Sequence, residues 1–254
     1  MRKQENITPV WKWTEKIRTA AQKAGRACSM VRDRRTDCLL CLESTAQTGL
    51  CQNCERLLAR TGFVCPGCAI PLAARGWCGN CLRGPPAFDR VVAAFGYRFP
   101  LDRLVQRFKF SADLAVGATL GDALARAVAH GPRPDLVVAS PISAARLRER
   151  GFNPALLLAR RVASRHGIAL DGDCLAKMRH TPPQTGLDAA ARLANVRGAF
   201  AVTRRVAELH VAIVDDVMTT GATLEEMARA LKDRGAARVS GWVAARTPEP
   251  GRRS

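Results

Sequence analysis

No stretch of this 254-residue chain is a long uninterrupted apolar run. The opening segment, "MRKQENITPVWKWTEKIRTAAQKAG", breaks its apolar residues with charges every few positions, which excludes the continuous core of a signal peptide. Nothing further along approaches a membrane span. Acidic residues are scarce too, 22 Asp and Glu against 40 Lys and Arg, for a formal net charge of +18. Such a chain is not neutral toward polyanions, so nucleic acid or a phosphate-rich ligand is the expected partner, although a basic solvated surface alone gives the same balance. With no export signal, ten cysteines are expected to be thiols or metal ligands in a reducing, cytoplasmic protein.

Eight of those cysteines form four C-x-x-C pairs: "CLLC" (Cys38, Cys41), "CQNC" (Cys51, Cys54), "CPGC" (Cys65, Cys68) and "CGNC" (Cys78, Cys81). Two thiolates three positions apart on a tight turn reach one zinc ion, and two such knuckles complete a four-sulfur shell. Nine residues separate the first pair from the second, and again the third from the fourth. Two structural zinc ions are therefore predicted. Sequential pairing is favoured, although a crossed arrangement uses the same residues. A thioredoxin-like redox couple expects one pair beside a βαβ unit, which four pairs in a short segment do not offer. The bland role of the metals is to replace a core that so short a segment cannot build. Cys28 and Cys174 have no partner at ligand spacing and read as ordinary thiols.

"RGPP" (Arg83 to Pro86) closes the cysteine region. Three parts are expected: a basic N-terminal extension over 1–37, a double zinc-ribbon-like module over 38–84, and an α/β domain over 85–254. The extension holds ten basic residues against four acids and reads as a flexible arm or a loosely held helix. Its Trp11 and Trp13 could stack on bases or simply dock a tail. Beyond residue 86, strand-like runs ("DRVVAAFGYRF", "DLVVASPI", two in "AFAVTRRVAELHVAIVDD", "ARVSGWVAAR") alternate with helical patterns ("SADLAVGATLGDALARAVAHG", "NPALLLARRVASRHGI", "TLEEMARALKDRGA"). Alternation of this kind predicts a parallel sheet flanked by helices, with ligands beyond the carboxyl ends of its strands.

"HVAIVDDVMTTGATLEEM" lies at such an end. A buried strand delivers Asp215 and Asp216, and adjacent buried acids are costly unless ribose hydroxyls or a divalent cation satisfy them. "TTGAT" (Thr219, Thr220, Gly221, Ala222, Thr223) then offers backbone N–H groups and hydroxyls at a helix N-terminus, where an anion is favoured. The element suits a sugar phosphate. No lysine follows the glycine, so this is not the Walker loop of a nucleoside triphosphate site. A plain strand, turn and helix cap is the bland alternative.

The same stretch resembles the signature of type I phosphoribosyltransferases. That resemblance implies that the two acids hold ribose hydroxyls of phosphoribosyl pyrophosphate, that the loop holds its 5-phosphate, and that Mg2+ accompanies the pyrophosphate. The order of four C-x-x-C pairs, "FKF", "SPISAARLRERGFN", "TPPQTGLDAAARLANVRGAF" and the phosphoribosyl loop is similar to the ComF family over about residues 38 to 246. By that resemblance "SPIS" with Arg146 and Arg150 occupies the pyrophosphate-loop region, and "TPPQTGLDAAARLANVRGAF" the mobile hood, with Gln184, Arg192 and Asn195 at family positions; Lys109 also matches. "RGFNP" departs from the common R-G-F-N-Q, and Pro154 suits the first turn of a helix. Singly, Arg146, Arg148 and Arg150 could be a solvated helical face, His180 a loop histidine and Gln184 a turn residue.

The family implies DNA uptake in bacterial transformation and handling of single-stranded DNA, with a DNA-translocating ATPase and recombination-loading factors as partners. An active phosphoribosyltransferase is the alternative, but the sequence carries no recognisable element for an acceptor base. A transcriptional regulator sensing phosphoribosyl pyrophosphate is a third reading, without any helix-turn-helix pattern behind it.

Overall fold

A computed structural model describes residues 36–45, 49–58, 62–178 and 197–248. Trp11, Trp13, Cys28, His180, Gln184, Arg192 and Asn195 lie outside the described residues, and with them most of the extension and of the hood.

The cysteine region is the same ribbon built twice. In the first copy β1 (Thr36–Asp37) pairs antiparallel with β2 (Ser44–Thr45) ahead of α1 (Gln52–Leu58); in the second, β3 (Phe63–Val64) pairs with β4 (Pro71–Leu72) ahead of α2 (Gly79–Arg83). Each element of the second copy begins 27 residues after its counterpart, the step from Cys38 to Cys65. Backbone bonds repeat in step: the N–H of Cys38 donates to Glu43 O and that of Cys65 to Ile70 O, both at 2.9 Å. Leu42 and Ala69, 27 apart, share positive φ values of 62° and 58°.

After the ribbons the chain alternates. β5 (Arg90–Gly96) is followed by α3 (Leu101–Ser111) and α4 (Leu114–Val128), then β6 (Leu136–Ala139), α5 (Ala144–Arg150), α6 (Pro154–His166), β7 (Ala169–Asp171) and β8 (Leu175–Lys177). β9 (Phe200–Val202), β10 (His210–Met218), α7 (Ala222–Asp233) and β11 (Arg238–Arg246) complete it. The main sheet has the order β5-β11-β10-β6-β7 and is parallel throughout. The short antiparallel pair β8–β9 stands apart, so the first strand candidate in "AFAVTRRVAELHVAIVDD" does not join the main sheet. The caps follow the sequence: Asp113, Ser143 and Asn153 accept from the first turns of α4, α5 and α6, and Pro154 stands at the start of α6.

β10 is covered on both faces, with Val211 to Val214 fully buried. On one face Val211, Ile213, Val239 and Val243 pack with Leu224, Met227 and Leu231 of α7 and with the second cysteine set. On the other, Ala212, Val214, Trp242 and Ala244 pack with Leu104, Phe108, Leu120 and Leu158 and with Cys38 and Cys54. The two ribbons therefore share their cores with opposite faces of the sheet. Among the described residues no helix is long and apolar enough to cross a membrane.

Candidate functional site

Cys38, Cys41, Cys51 and Cys54 form one cluster and Cys65, Cys68, Cys78 and Cys81 another, with the sulfurs of each set within 4.8 Å of one another. The pairing is thus sequential. Sγ atoms of Cys41 and Cys51 are 3.7 Å apart and those of Cys68 and Cys78 3.6 Å. A tetrahedral shell with metal–sulfur bonds of about 2.3 Å spaces its sulfurs about 3.8 Å apart, so both donor sets fit zinc. Backbone N–H groups already support thiolates: Cys51 N donates to Cys38 Sγ at 3.3 Å and Cys78 N to Cys65 Sγ at 3.4 Å. Burial would raise both thiols, but backbone donors outweigh it and bring Cys38 to about 6 and Cys65 to about 7. Cys174 differs: fully buried and without a partner among the described cysteines, it is pushed up to about 11 by burial and then by Asp171, as for an inert thiol.

The second constellation lies at the carboxyl end of β10. The strand runs two residues past the acids, to Met218, because Val217 and Met218 still pair with β11. Asp216 is engaged by a cation, Lys109 Nζ of α3 standing 2.9 Å from its Oδ1. Asp215 faces a small recess of about 50 Å3 lined also by Thr219, Thr220, Gly221, Ala222 and Thr223. Burial, then the charge of Asp216, pushes the Asp215 carboxyl up to about 7, while Lys109 and the Ser140 hydroxyl pull it down.

Ala222 and Thr223 belong to the first turn of α7, not to the loop before it. Gly221 is the N-cap at φ 90° and brings no capping side chain; the Thr220 hydroxyl accepts from Ala222 N at a long 3.4 Å. The positive φ of Gly221 demands glycine, and a Cβ there would also press on the flexible end of Met218, 2.6 Å from its Cε.

"SPIS" follows β6 beside β10, where Ser140 N donates to Val214 O at 2.9 Å. Ser143 caps α5, placing Arg146 on an exposed turn, while Arg150 stacks its guanidinium 5.0 Å over the Phe110 ring. Arg150 Nε is buried without a hydrogen-bond partner among the described residues.

Two residues escaped the sequence reading. Lys177, at the end of β8, is half-buried; burial and then Arg146 lower its pKa, while Asp215 raises it, so it stands in the electrostatic field of the site. Arg246, the last residue of β11, is buried and donates to the carbonyls of Met218 and Thr219. Neither lies in a local motif, and their partners are distant in sequence. A larger groove of about 740 Å3 lies between the first ribbon, α4 and α6. Its Asp122 is already paired with Arg161 and Arg165, and it gathers no phosphate-binding loop.

Comparison with known proteins gives a consistent picture. A family model described as "Phosphoribosyl transferase domain" matches residues 150–253. The chain is 36% identical over 219 residues to the DNA utilization protein YhgH of Salmonella typhimurium, covering 83% of this chain and 96% of that protein. It is 33% identical over 211 residues to Competence protein F of Haemophilus influenzae, covering 79% and 92%. Among solved structures, the allosteric regulatory enzyme of purine biosynthesis is similar at a TM-score of 0.39 and 22% identity, over 55% of this chain and 30% of that one. The parallel sheet with helices on both faces, together with the domain match, is a type I phosphoribosyltransferase-like fold carrying an N-terminal cysteine module.

Proposed function

Because the chain belongs to the ComF family of competence-associated proteins, we propose that it acts in DNA uptake, handling single-stranded DNA while holding a phosphoribosyl-pyrophosphate-type ligand in the recess at the end of β10. The observation that carries the pocket is the meeting of Asp215 and the glycine-started N-terminus of α7 in one recess, with Asp216 next along the strand and held by Lys109. In this reading the carboxylates accept from the ribose hydroxyls, and the 219–221 turn with the first turn of α7 (Ala222, Thr223) receives the 5-phosphate on its amides and hydroxyls. Lys109, 2.9 Å from its Oδ1, holds Asp216 in position. Arg146 and Arg150, with Arg192 outside the described residues, meet the pyrophosphate, whose remaining charge Mg2+ offsets when bound. Zinc in each cysteine set replaces the apolar core the ribbons lack.

Single-stranded DNA is supported by charge and by aromatic surface. The net charge of +18 favours any phosphate chain. On the second ribbon Trp77 is half exposed, and Arg75 stands 5.7 Å over the exposed Phe63 ring, a combination that stacks bases. A DNA-translocating ATPase and recombination-loading factors are the partners that the family resemblance brings to the proposal. The relatives' names, a DNA utilization protein and a competence protein, agree with a DNA role.

The alternative reading is an active phosphoribosyltransferase of unknown acceptor, favoured by the retained acid pair. Isothermal titration of phosphoribosyl pyrophosphate with Mg2+, with and without single-stranded DNA, tests the proposal. Binding by the wild-type chain, lost in Asp215→Asn with Asp216→Asn, supports the pocket; absence of wild-type binding refutes it. Pyrophosphate release on adding nucleobases would favour the enzyme reading.

A further inference from the structure

Arg246 touches two functional elements at once. Its side chain is 4% exposed. Nε donates to the carbonyl of Cys68 at 3.0 Å, inside the third C-x-x-C knuckle. Nη1 donates to the carbonyl of Met218 at 3.2 Å, to that of Thr219, and to that of Thr247 at 3.0 Å. The register seats Met218 directly opposite Arg246, and the Thr247 N–H also donates to Met218 O at 3.0 Å. Four thiolates around one divalent ion would leave net negative charge beside this guanidinium. A second backbone bond, Val91 N to Gly67 O at 2.7 Å, holds the same knuckle against β5.

The carbonyl contacts have a direction. Across a trans peptide the C=O and the following N–H point opposite ways. Holding the carbonyls of Met218 and Thr219 on Arg246 therefore turns the N–H groups of Thr219 and Thr220 to the other side, where these residues line the recess. The first ribbon is anchored elsewhere: Arg107 of α3 donates to Leu39 O at 2.9 Å, and Arg126 of α4 pairs with Glu55.

We infer that Arg246 is a positioning residue through which the second cysteine set, and not the first, holds the phosphate-binding loop in its binding geometry. The inference rests on the sugar-phosphate reading only for its effect on ligand affinity. Loss of metal from the second set lets the Cys68 knuckle move, Arg246 follows, and the loop amides lose their common direction. Coupling of this kind is reciprocal, so a ligand in the recess retains the second metal.

Amide hydrogen exchange on the zinc-loaded full chain tests it, comparing wild type, Arg246→Lys, Cys78→Ser and Cys51→Ser, with zinc content measured on each. The amides of Thr219, Thr220 and Gly221 are expected to exchange about tenfold faster in Cys78→Ser and Arg246→Lys, with those of Ile213 and Val214 at wild-type rates. In Cys51→Ser the loop amides keep their wild-type rates. Equal loop protection in Cys78→Ser and Cys51→Ser overturns the inference, and so does equal acceleration of loop and strand, which marks general unfolding. Should Arg246→Lys fail to fold, chelator-driven zinc release from wild type decides: phosphoribosyl pyrophosphate with Mg2+ slows one of two release steps if the inference holds and neither or both if it does not. Titrating the exchange samples with that ligand separates the two readings. A wild type that does not bind refutes the pocket and leaves exchange to judge the coupling; Cys78→Ser binding as tightly as wild type refutes the coupling.

Discussion

Asp215 and Asp216 are neighbours with different surroundings. Asp216 meets Lys109 at 2.9 Å, whereas burial and then the charge of Asp216 push the Asp215 carboxyl up to about 7. A raised carboxyl means that the folded state disfavours the carboxylate, so this group lowers stability increasingly as pH rises from the ordinary carboxylate range through about 7. Asp215→Asn is therefore expected to raise Tm by several degrees near pH 8 and to change it little near pH 4; a larger gain at the acid end would contradict the assignment. Ligand affinity moves the other way, since hydroxyl donors need the ionised form: it should rise between about pH 6 and 8, as read by titration calorimetry. The acid pair was visible in the sequence because both members are adjacent. The pairing of Asp216 with Lys109 was not, since that lysine, although at a family position, lies on a helix more than a hundred residues away; Lys177 and Arg246 were hidden because each reaches the site from a different strand.

At the scale of elements, the strand–loop–helix unit depends on one backbone angle. Gly221→Ala places a side chain at φ 90° and against Met218, at a cost of about 1–3 kcal/mol, and should remove sugar-phosphate binding while both zinc ions stay. Retained binding would show that the loop tolerates another conformation. The ribbons were legible from spacing alone, since a C-x-x-C turn is a local geometry; the equal nine-residue separations favoured sequential pairing but left a crossed one open, and the grouping of the sulfurs is sequential. What spacing could not carry is where each ribbon rests. Cys38 and Cys54 lie in the core with α3, α4 and α6, while the second set lies in the core with α7. Because both cores are continuous with the sheet, chelation should lower the melting temperature of the whole chain in one calorimetric transition. A separate early transition for 38–84, with an unchanged second one, would count against shared cores.

For the molecule as a whole, the alternation of strand and helix announced a parallel sheet, and the sheet is parallel. The order β5-β11-β10-β6-β7 was beyond the sequence, as was the exclusion of β9 from it, because strand length and periodicity say nothing about neighbours. The net charge of +18 makes a quantitative demand on the DNA proposal. Affinity for single-stranded DNA should fall linearly on a log–log plot against salt, with a slope of about −0.7 for each phosphate neutralised, and a flat response would exclude a phosphate-tracking mode.

The bond from Arg246 to Cys68 spans 178 residues, and β5 joins β11 from almost as far. During synthesis both cysteine sets leave the ribosome early, and four thiols can capture a metal from local turns alone. The strand that completes the sheet, and the arginine that reaches back to the second knuckle, emerge last. A product truncated a few residues before 246 is therefore expected to bind zinc at both cysteine sets and to have no pocket, which metal analysis and ligand titration of that fragment would check.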